Sequence, residues 1–470
     1  MAVDSGATTN PIPDGATPEQ RTEYGRSLRK NTPLESHSEW SPGLDRQDPV
    51  QLIEDQNADR IPWLVPVRRA RMSASPFTFY RGAARIMAHD LAQSPVSGLV
   101  TQICGDAHLG NFGMYASPER RLVFDLNDFD ETLPGPWEWD IKRLAASFFI
   151  AGRFNGLTDK ACRKLARRVV RRYRKSMTRL AGMRNMEIWY EMVEAKRMFQ
   201  TVENSETRKA GKREMAKAMR KDSVHALDKL AEEVDGEYRI RHEPPLIIRV
   251  SEVRDPASRE DIRDRLSKSY EEYLASVPDH VEHVLRHFQP VDFAVKVVGV
   301  GSVGTRSFIT LLRGRDSTDP LFLQTKEATT SVLEEVLPAS RYPQSGQRVV
   351  EGQRLMQTVS DVFLGYFTSA GHDYYMRQLK DWKGSADVEN LNEQQLNGAA
   401  NLRGWALARA HARSGDPIAI AAYLGEGKAF DRAVAQFSGR YTMQNEQDFD
   451  AFMEEIRARR LEVAEYASSS

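Results

Sequence analysis

Asp106 and Asn111 stand five residues apart in ICGDAHLGNF, with Gly105 and Gly110 loosening the backbone between apolar flanks. On a loop, that spacing suits two tasks at once: a carboxylate accepts the proton of a hydroxyl, and an amide oxygen ligates a metal. A second segment, FDLNDFDE, follows with Asp125, Asp128 and Asp130, hard oxygen ligands of the kind Mg²⁺ requires. Together these are the parts of metal-assisted phosphoryl transfer. Asp and Asn beside Gly also build ordinary turns. The closeness of the second acidic segment favours chemistry over that simpler explanation.

Much further along, FAVKVVGVGSVGTRSFITLLRG (residues 293–314) reads as strand, turn, strand. Gly299, Gly301 and Gly304 satisfy a GxGxxG spacing, with Ser302 among them. A dinucleotide-binding loop opens a helix, whereas the alternating, β-branched TRSFITLLRG predicts a strand. A glycine-rich hairpin of this kind can lie over nucleotide phosphates. LFLQTKEA then predicts a third strand delivering Lys326 to the same cleft, where an ammonium needs an acidic partner to stay charged and oriented. Glu351, in the helical GQRVVEGQRLMQ, is the first choice of partner, and Glu334 and Glu335 in SVLEEVL stay open. VSDVFLGYF and YYMRQL supply two more strands, for a small sheet of five.

The elements that must position these residues occupy a chain of 470 residues, long enough for two or three domains. Its 66 basic residues balance 66 acidic ones, so net charge names no partner. No stretch has the apolar length of a membrane span, and the N-terminus lacks the basic start and apolar core of a secretory signal. With only Cys104 and Cys162, neither a disulfide framework nor a cysteine zinc site is expected. A cytoplasmic protein without a membrane partner is the expectation.

Residues 1–25 read as a disordered tail. Residues 26–288 read as a helical region with both acidic loops and a helical insert, 289–385 as a small β region, and 386–470 as helices completing the first region. FTFYRGAARIMAHDLA predicts a helix from Phe77 to Ala92, on which Arg81 is expected to pair with a carboxylate rather than a phosphate. Asp140 is expected to brace the loop before it, and His411 to be packed rather than catalytic. Between Arg163 and Arg179 lie nine Lys or Arg residues and no acid, opposite an apolar stripe of Leu165, Val169, Tyr173, Met177 and Leu180. No aromatics interleave with that charge, so a core-packed helix with a solvated face is expected rather than a nucleic-acid site. Residues 189–234 predict further charged helix, 246–253 a short strand, and 259–288 one amphipathic helix.

GDAHLGNF followed by NDFDETLPGPWEWDIKRLA resembles the catalytic loop, metal loop and following helix of aminoglycoside phosphotransferases and related protein-kinase-like enzymes. From about residue 60 to 460 the chain also resembles a bacterial family of uncharacterised proteins, domain of unknown function 2252. The kinase-like resemblance implies ATP and Mg²⁺ as cofactors and a hydroxyl on a small molecule or protein as acceptor. It gives Asp106 the role of catalytic base and makes Asn111 and Asp128 metal ligands, with Asp130 available as a further one. It implies that Lys326 pairs with phosphates, Glu351 with Lys326, and that Gly299, Gly301, Ser302 and Gly304 cover the phosphates. Two features depart from the pattern: Cys104 stands where His is usual, and the glycine turn and lysine follow the catalytic loop. Reading from about 290 to 415 and then from 100 to 155 restores the order, which implies a circularly permuted, two-lobed α+β fold. AMP transfer from the same cleft, or a catalytically silent nucleotide-binding or scaffolding protein, are the alternative functions.

Overall fold

Short apolar runs bounded by Gly, Pro and Asp become strands in both halves of the chain. The computed structural model describes residues 13–464 apart from 14, 197–204, 221–222, 235, 253–255, 298, 380–381, 383 and 385–387. Strands β1 (Val100–Ile103), β2 (Phe112–Ala116), β3 (Leu122–Leu126) and β4 (Leu133–Pro136) make two antiparallel pairs, β1 with β4 and β2 with β3. A hairpin of β5 (Ala231–Val234) and β6 (Glu237–Ile240) follows. The main sheet holds β7 (Ile247–Arg249), β8 (Gln289–Lys296), β9 (Ser307–Arg313), β10 (Pro320–Ala328), β11 (Gly365–Ser369) and β12 (His372–Gln378). It is antiparallel throughout, in the order β11-β12-β10-β9-β8-β7. The expected five strands are therefore six, because β7 adds itself to the far edge. With its helices and several antiparallel sheets, the protein is α+β.

The helix Trp137–Phe154 lies at the centre of the main core and is buried on every side from Trp137 to Gly152, including the charged Glu138, Asp140, Lys142 and Arg143 of its first two turns. The helices Asp159–Ala181, Glu393–Ser414 and Ala429–Arg457 pack around it. The basic stretch falls in Asp159–Ala181: its apolar stripe is buried, while Arg163, Lys164, Arg168 and Arg171 face outward. Arg174 turns inward to a buried ion pair with Asp431 at 2.8 Å. No helix among the described residues is long and apolar enough to cross a membrane.

Several boundaries differ from those the sequence predicts. Within the expected tail, Pro18–Ser27 is a helix with a Thr17–Gln20 capping box, packed on the helix Pro417–Leu424; residues 1–12 lie outside the described ones. The helix over 77–92 is two, Pro76–Gly82 and Ala84–Ala92, divided where Ala83 leaves helical geometry at φ −107 and ψ 32; the Gly82 carbonyl beside it accepts from Arg68 at 3.2 Å. Residues 259–288 divide into Pro256–Leu274 and Asp279–Leu285, since Pro278 starts a new helix and bars the residue before it from helical geometry. The last four residues of the expected charged helix are β5, which pairs with β6 in a hairpin tied to the main sheet where Asp292 accepts from the Ile240 amide at 2.8 Å.

Candidate active site

The β1–β2 loop, residues 104–111, carries Asp106 and Asn111, and the β3–β4 loop, residues 127–132, carries Asp128 and Asp130. Gly105 has φ +77, and a Cβ there would come within 2.7 Å of the Glu131 carbonyl oxygen, so a glycine lets the two loops meet. Asp140, from the central helix, accepts the amides of Cys104 at 2.8 Å and Gly105 at 3.0 Å, and His411 lies 3.2 Å from the same carboxylate. His411 in turn faces the Tyr173 hydroxyl at 2.9 Å, which makes it part of the brace. Within the loop, the Asn111 side-chain amide donates to the Asp106 carbonyl at 2.8 Å, leaving its oxygen for another partner. Arg143, one turn after Asp140, holds Asp106 Oδ1 with Nε at 2.6 Å and Nη2 at 2.5 Å.

The sheet meets these loops with one face of β10 and β12. Lys326 and Tyr375 are opposite one another in the ladder, so their side chains project from the same face. Both end on Asp130: Lys326 Nζ lies 2.5 Å from Oδ2, and the Tyr375 hydroxyl donates to Oδ1 at 2.6 Å. Two residues along, Arg377 donates to the Asn127 carbonyl at 3.3 Å. Ser302 of the glycine turn donates to Asp130 Oδ2 at 3.3 Å, so turn, lysine and acidic loop converge on one carboxylate.

The glycine turn sits under the N-terminal helices. Gly299 and Gly304 have φ of +71 and +94, and a Cβ on Gly301 would lie 3.2 Å from the Arg81 carbonyl oxygen. Arg60 donates to the Val303 carbonyl, the Ile61 amide to Gly304 at 2.8 Å, and Arg71 to Gly299 at 2.5 Å. Below the turn is a cavity of about 110 Å³ bordered by Asp106, Asn111, Asp128, Asp130, Gly299 and Ser302. A larger cavity of about 740 Å³ lies beyond Asp128, between the β2–β3 pair and the end of β12, and Asp128 borders both.

The carboxylates are not equivalent. Burial works to raise the pKa of Asp130, yet the Lys326 ammonium and the Tyr375 hydroxyl outweigh it and hold the group below its usual range. Burial and then the Asp130 charge push Asp128 the other way, against Lys326 and Arg377. No cation lies within 4 Å of Asp128 among the described residues. Burial likewise raises Asp106, with Arg143 opposing it. His108, 3.8 Å from Asp106, is neutral because burial and three surrounding arginines all disfavour its charge.

Asp128 and the Asn111 oxygen are the donors that fit a divalent cation. Among the described residues no group of three or more His, Cys, Asp or Glu is placed to hold a metal unaided. Mg²⁺ characteristically takes one or two protein carboxylates and fills its remaining positions with phosphate oxygens and water. One carboxylate and one amide oxygen are a donor set of that size. Asp125 is excluded from it, since it is buried in an ion pair with Arg409.

Of the residues singled out by sequence, Asp106, Asn111, Asp128, Asp130, Gly299, Gly301 and Ser302 border one cavity, with Lys326 bonded to Asp130. The expected partner of Lys326 is corrected. Glu351 pairs with Arg354 at 2.9 Å, Glu334 accepts the Ser331 amide at 3.1 Å, and Glu335 pairs with Arg85 at 2.9 Å. The helix Ser345–Met356 acts on the site through Arg348 instead, which donates to the carbonyls of Asp130, Thr132 and Thr329 at 2.8–2.9 Å. Arg81 has no carboxylate within 4 Å among the described residues, contrary to the pairing expected of it. Arg348, Tyr375 and Arg377 carried no motif, and Arg143, though inside the stretch that carries the resemblance, was given no role. Their one signal in sequence was a charged or polar group amid predicted buried runs.

No curated protein and no solved structure matches the chain. A family model matches a stretch that spans both acidic loops, the glycine turn and the lysine: over residues 60–455 the chain belongs to DUF2252, a family of uncharacterised proteins conserved in bacteria.

Proposed function

We propose that the chain is an ATP- and Mg²⁺-dependent phosphotransferase of protein-kinase-like, circularly permuted organisation, acting on a hydroxyl of an acceptor. The observation that carries this reading is the convergence on Asp130. A lysine from the third strand of a meander, a serine of the glycine turn and an acidic loop from the front half of the chain meet there, 172 to 196 residues apart in sequence. The order of parts supports the permutation: β8, glycine turn, β9, β10 with its lysine, helix Ser345–Met356, then β11 and β12.

In this reading the 740 Å³ cavity takes the nucleoside, and its phosphates run past Asp128 towards the glycine turn. Lys326, kept charged by Asp130, supplies positive charge to them. Arg143 fixes Asp106 through Oδ1, which leaves Oδ2 to accept an acceptor's hydroxyl proton. Asn111 and Asp128 would hold Mg²⁺, which would supply positive charge against that of the phosphates. Catalysis of this type is positioning and charge stabilisation, so each fixed group matters through its geometry.

The test is turnover of ATP labelled in either its terminal or its first phosphate, with and without Mg²⁺. Transfer of the terminal label is expected. Transfer of the first label, with a mass gain of an adenylyl group, would assign AMP transfer to the same cleft, and binding without turnover would assign a silent nucleotide-binding role.

A further inference from the structure

The 110 Å³ cavity has a second wall that the proposed transfer site does not use. It is formed by Arg60, Arg68 and Arg81, all from the helical segment before β1. None has a carboxylate within 4 Å among the described residues, and the Nε of each is buried without a hydrogen-bond partner. Arg68 is fully buried and donates only to neutral acceptors, the side chains of Asn57 and Gln56 and the Gly82 carbonyl. Arg60 donates to the Val303 carbonyl. Arg81 makes no side-chain hydrogen bond among the described residues.

Of the acids that border the cavity, Asp128 has no cation within 4 Å among the described residues, Glu327 pairs with Arg306 at 2.8 Å, and the other three are answered elsewhere. Asp106 has Arg143, Asp130 has Lys326, and Glu131 accepts from the Val332 amide and lies near Arg348. The three arginines therefore make no direct ion pair among the described residues, although Asp106 and Asp128 favour the charge of Arg81 and Glu131 and Asp130 that of Arg60 from across the cavity. Burial depresses the pKa of all three, taking Arg60 to about 10, and the Arg60 charge depresses Arg68 further. A buried guanidinium without an anion is costly, and planar guanidinium forks are suited to tetrahedral phosphate oxygens. At ~30 Å³ per water the cavity has room for three or four waters, or for one such group.

We propose that Arg60, Arg68 and Arg81 form an oxyanion subsite that holds a single phosphate group beside Asp106. Its source is either the terminal phosphate of the nucleotide or a phosphate carried by the acceptor, which would make the acceptor a phosphorylated alcohol. That this phosphate takes part in transfer rests on the function proposed above; that the subsite binds phosphate does not.

The full chain is titrated with inorganic phosphate in the presence of EDTA, followed by calorimetry and thermal unfolding, with chloride matched for ionic strength. Saturable binding is expected, weakened about ten- to a hundredfold in Arg81→Met, the loss of a charged hydrogen bond. Arg81→Met is the informative variant because Arg81 supports no neighbour through hydrogen bonds, whereas Arg68→Met would strip Asn57 and Gly82 of theirs. Competition by ATP assigns the subsite to the nucleotide's terminal phosphate, and simultaneous binding of both assigns it to the acceptor. No stabilisation beyond that of chloride, or equal phosphate affinity in the wild type and Arg81→Met, would overturn the subsite. Loss of turnover with phosphate binding intact would instead count against the transferase reading alone.

Discussion

Lys326 takes its carboxylate from a loop 196 residues away, so the chemistry of the lysine is set by Asp130 and not by the neighbouring helix. Asp130→Ala is expected to destabilise the fold by about 3 kcal/mol, near the low end for breaking a buried pair, since Asp130 keeps 26% side-chain exposure. Glu351→Ala should change stability by less than about 0.5 kcal/mol, because its partner Arg354 is as exposed as it is. Denaturant unfolding of the two variants checks this, and equal effects would contradict it. The lysine itself was legible, at the end of an apolar run. Its partner was not, because the register that sets Tyr375 opposite Lys326 and the approach of the β3–β4 loop are tertiary facts without a local signature.

At the scale of elements, the site depends on how closely two loops and one helix are drawn together. Gly105→Ala forces a side chain into positive φ and against the Glu131 carbonyl, and should cost about 1–3 kcal/mol. Arg348→Met leaves three carbonyls of the β3–β4 loop and its surroundings without their donor, at about 1–3 kcal/mol for each group left unsatisfied. Thermal unfolding reads both, and a wild-type midpoint in Arg348→Met would show that the helix does not clamp the loop. The strand–turn–strand of residues 293–314 was legible from alternation and glycine spacing. The β5–β6 hairpin was not, since AEEV and EYRI have the composition of an exposed helix and are held as strands by Asp292 and Arg249 of the main sheet.

At the scale of the whole molecule, stability should carry a pH signature from a residue far from the cleft. His37 is fully buried against Tyr423 and Phe430, and burial first and then the Lys142 charge keep its pKa well below the usual value. The folded state then stays unprotonated while the unfolded chain binds a proton below about pH 6.5, so stability falls as pH drops through that value. The slope from this residue is up to about 1.4 kcal/mol per pH unit. His37→Phe should flatten the acid side of the profile, and Tyr423 keeps its bond to the Thr32 carbonyl at 2.9 Å. Parallel profiles would contradict the neutral state of His37.

In the proposed function the acidic loops and the glycine turn are two sides of one nucleotide site. Thermal unfolding with Mg²⁺ and ATP tests it most directly in the intact chain and in Asp128→Ala. Saturating Mg²⁺–ATP should stabilise the wild type by about 2.7 kcal/mol at a hundred times the dissociation constant, and Asp128→Ala should lose most of that gain. A wild-type midpoint unmoved by nucleotide, or an equal shift in both proteins, would contradict it.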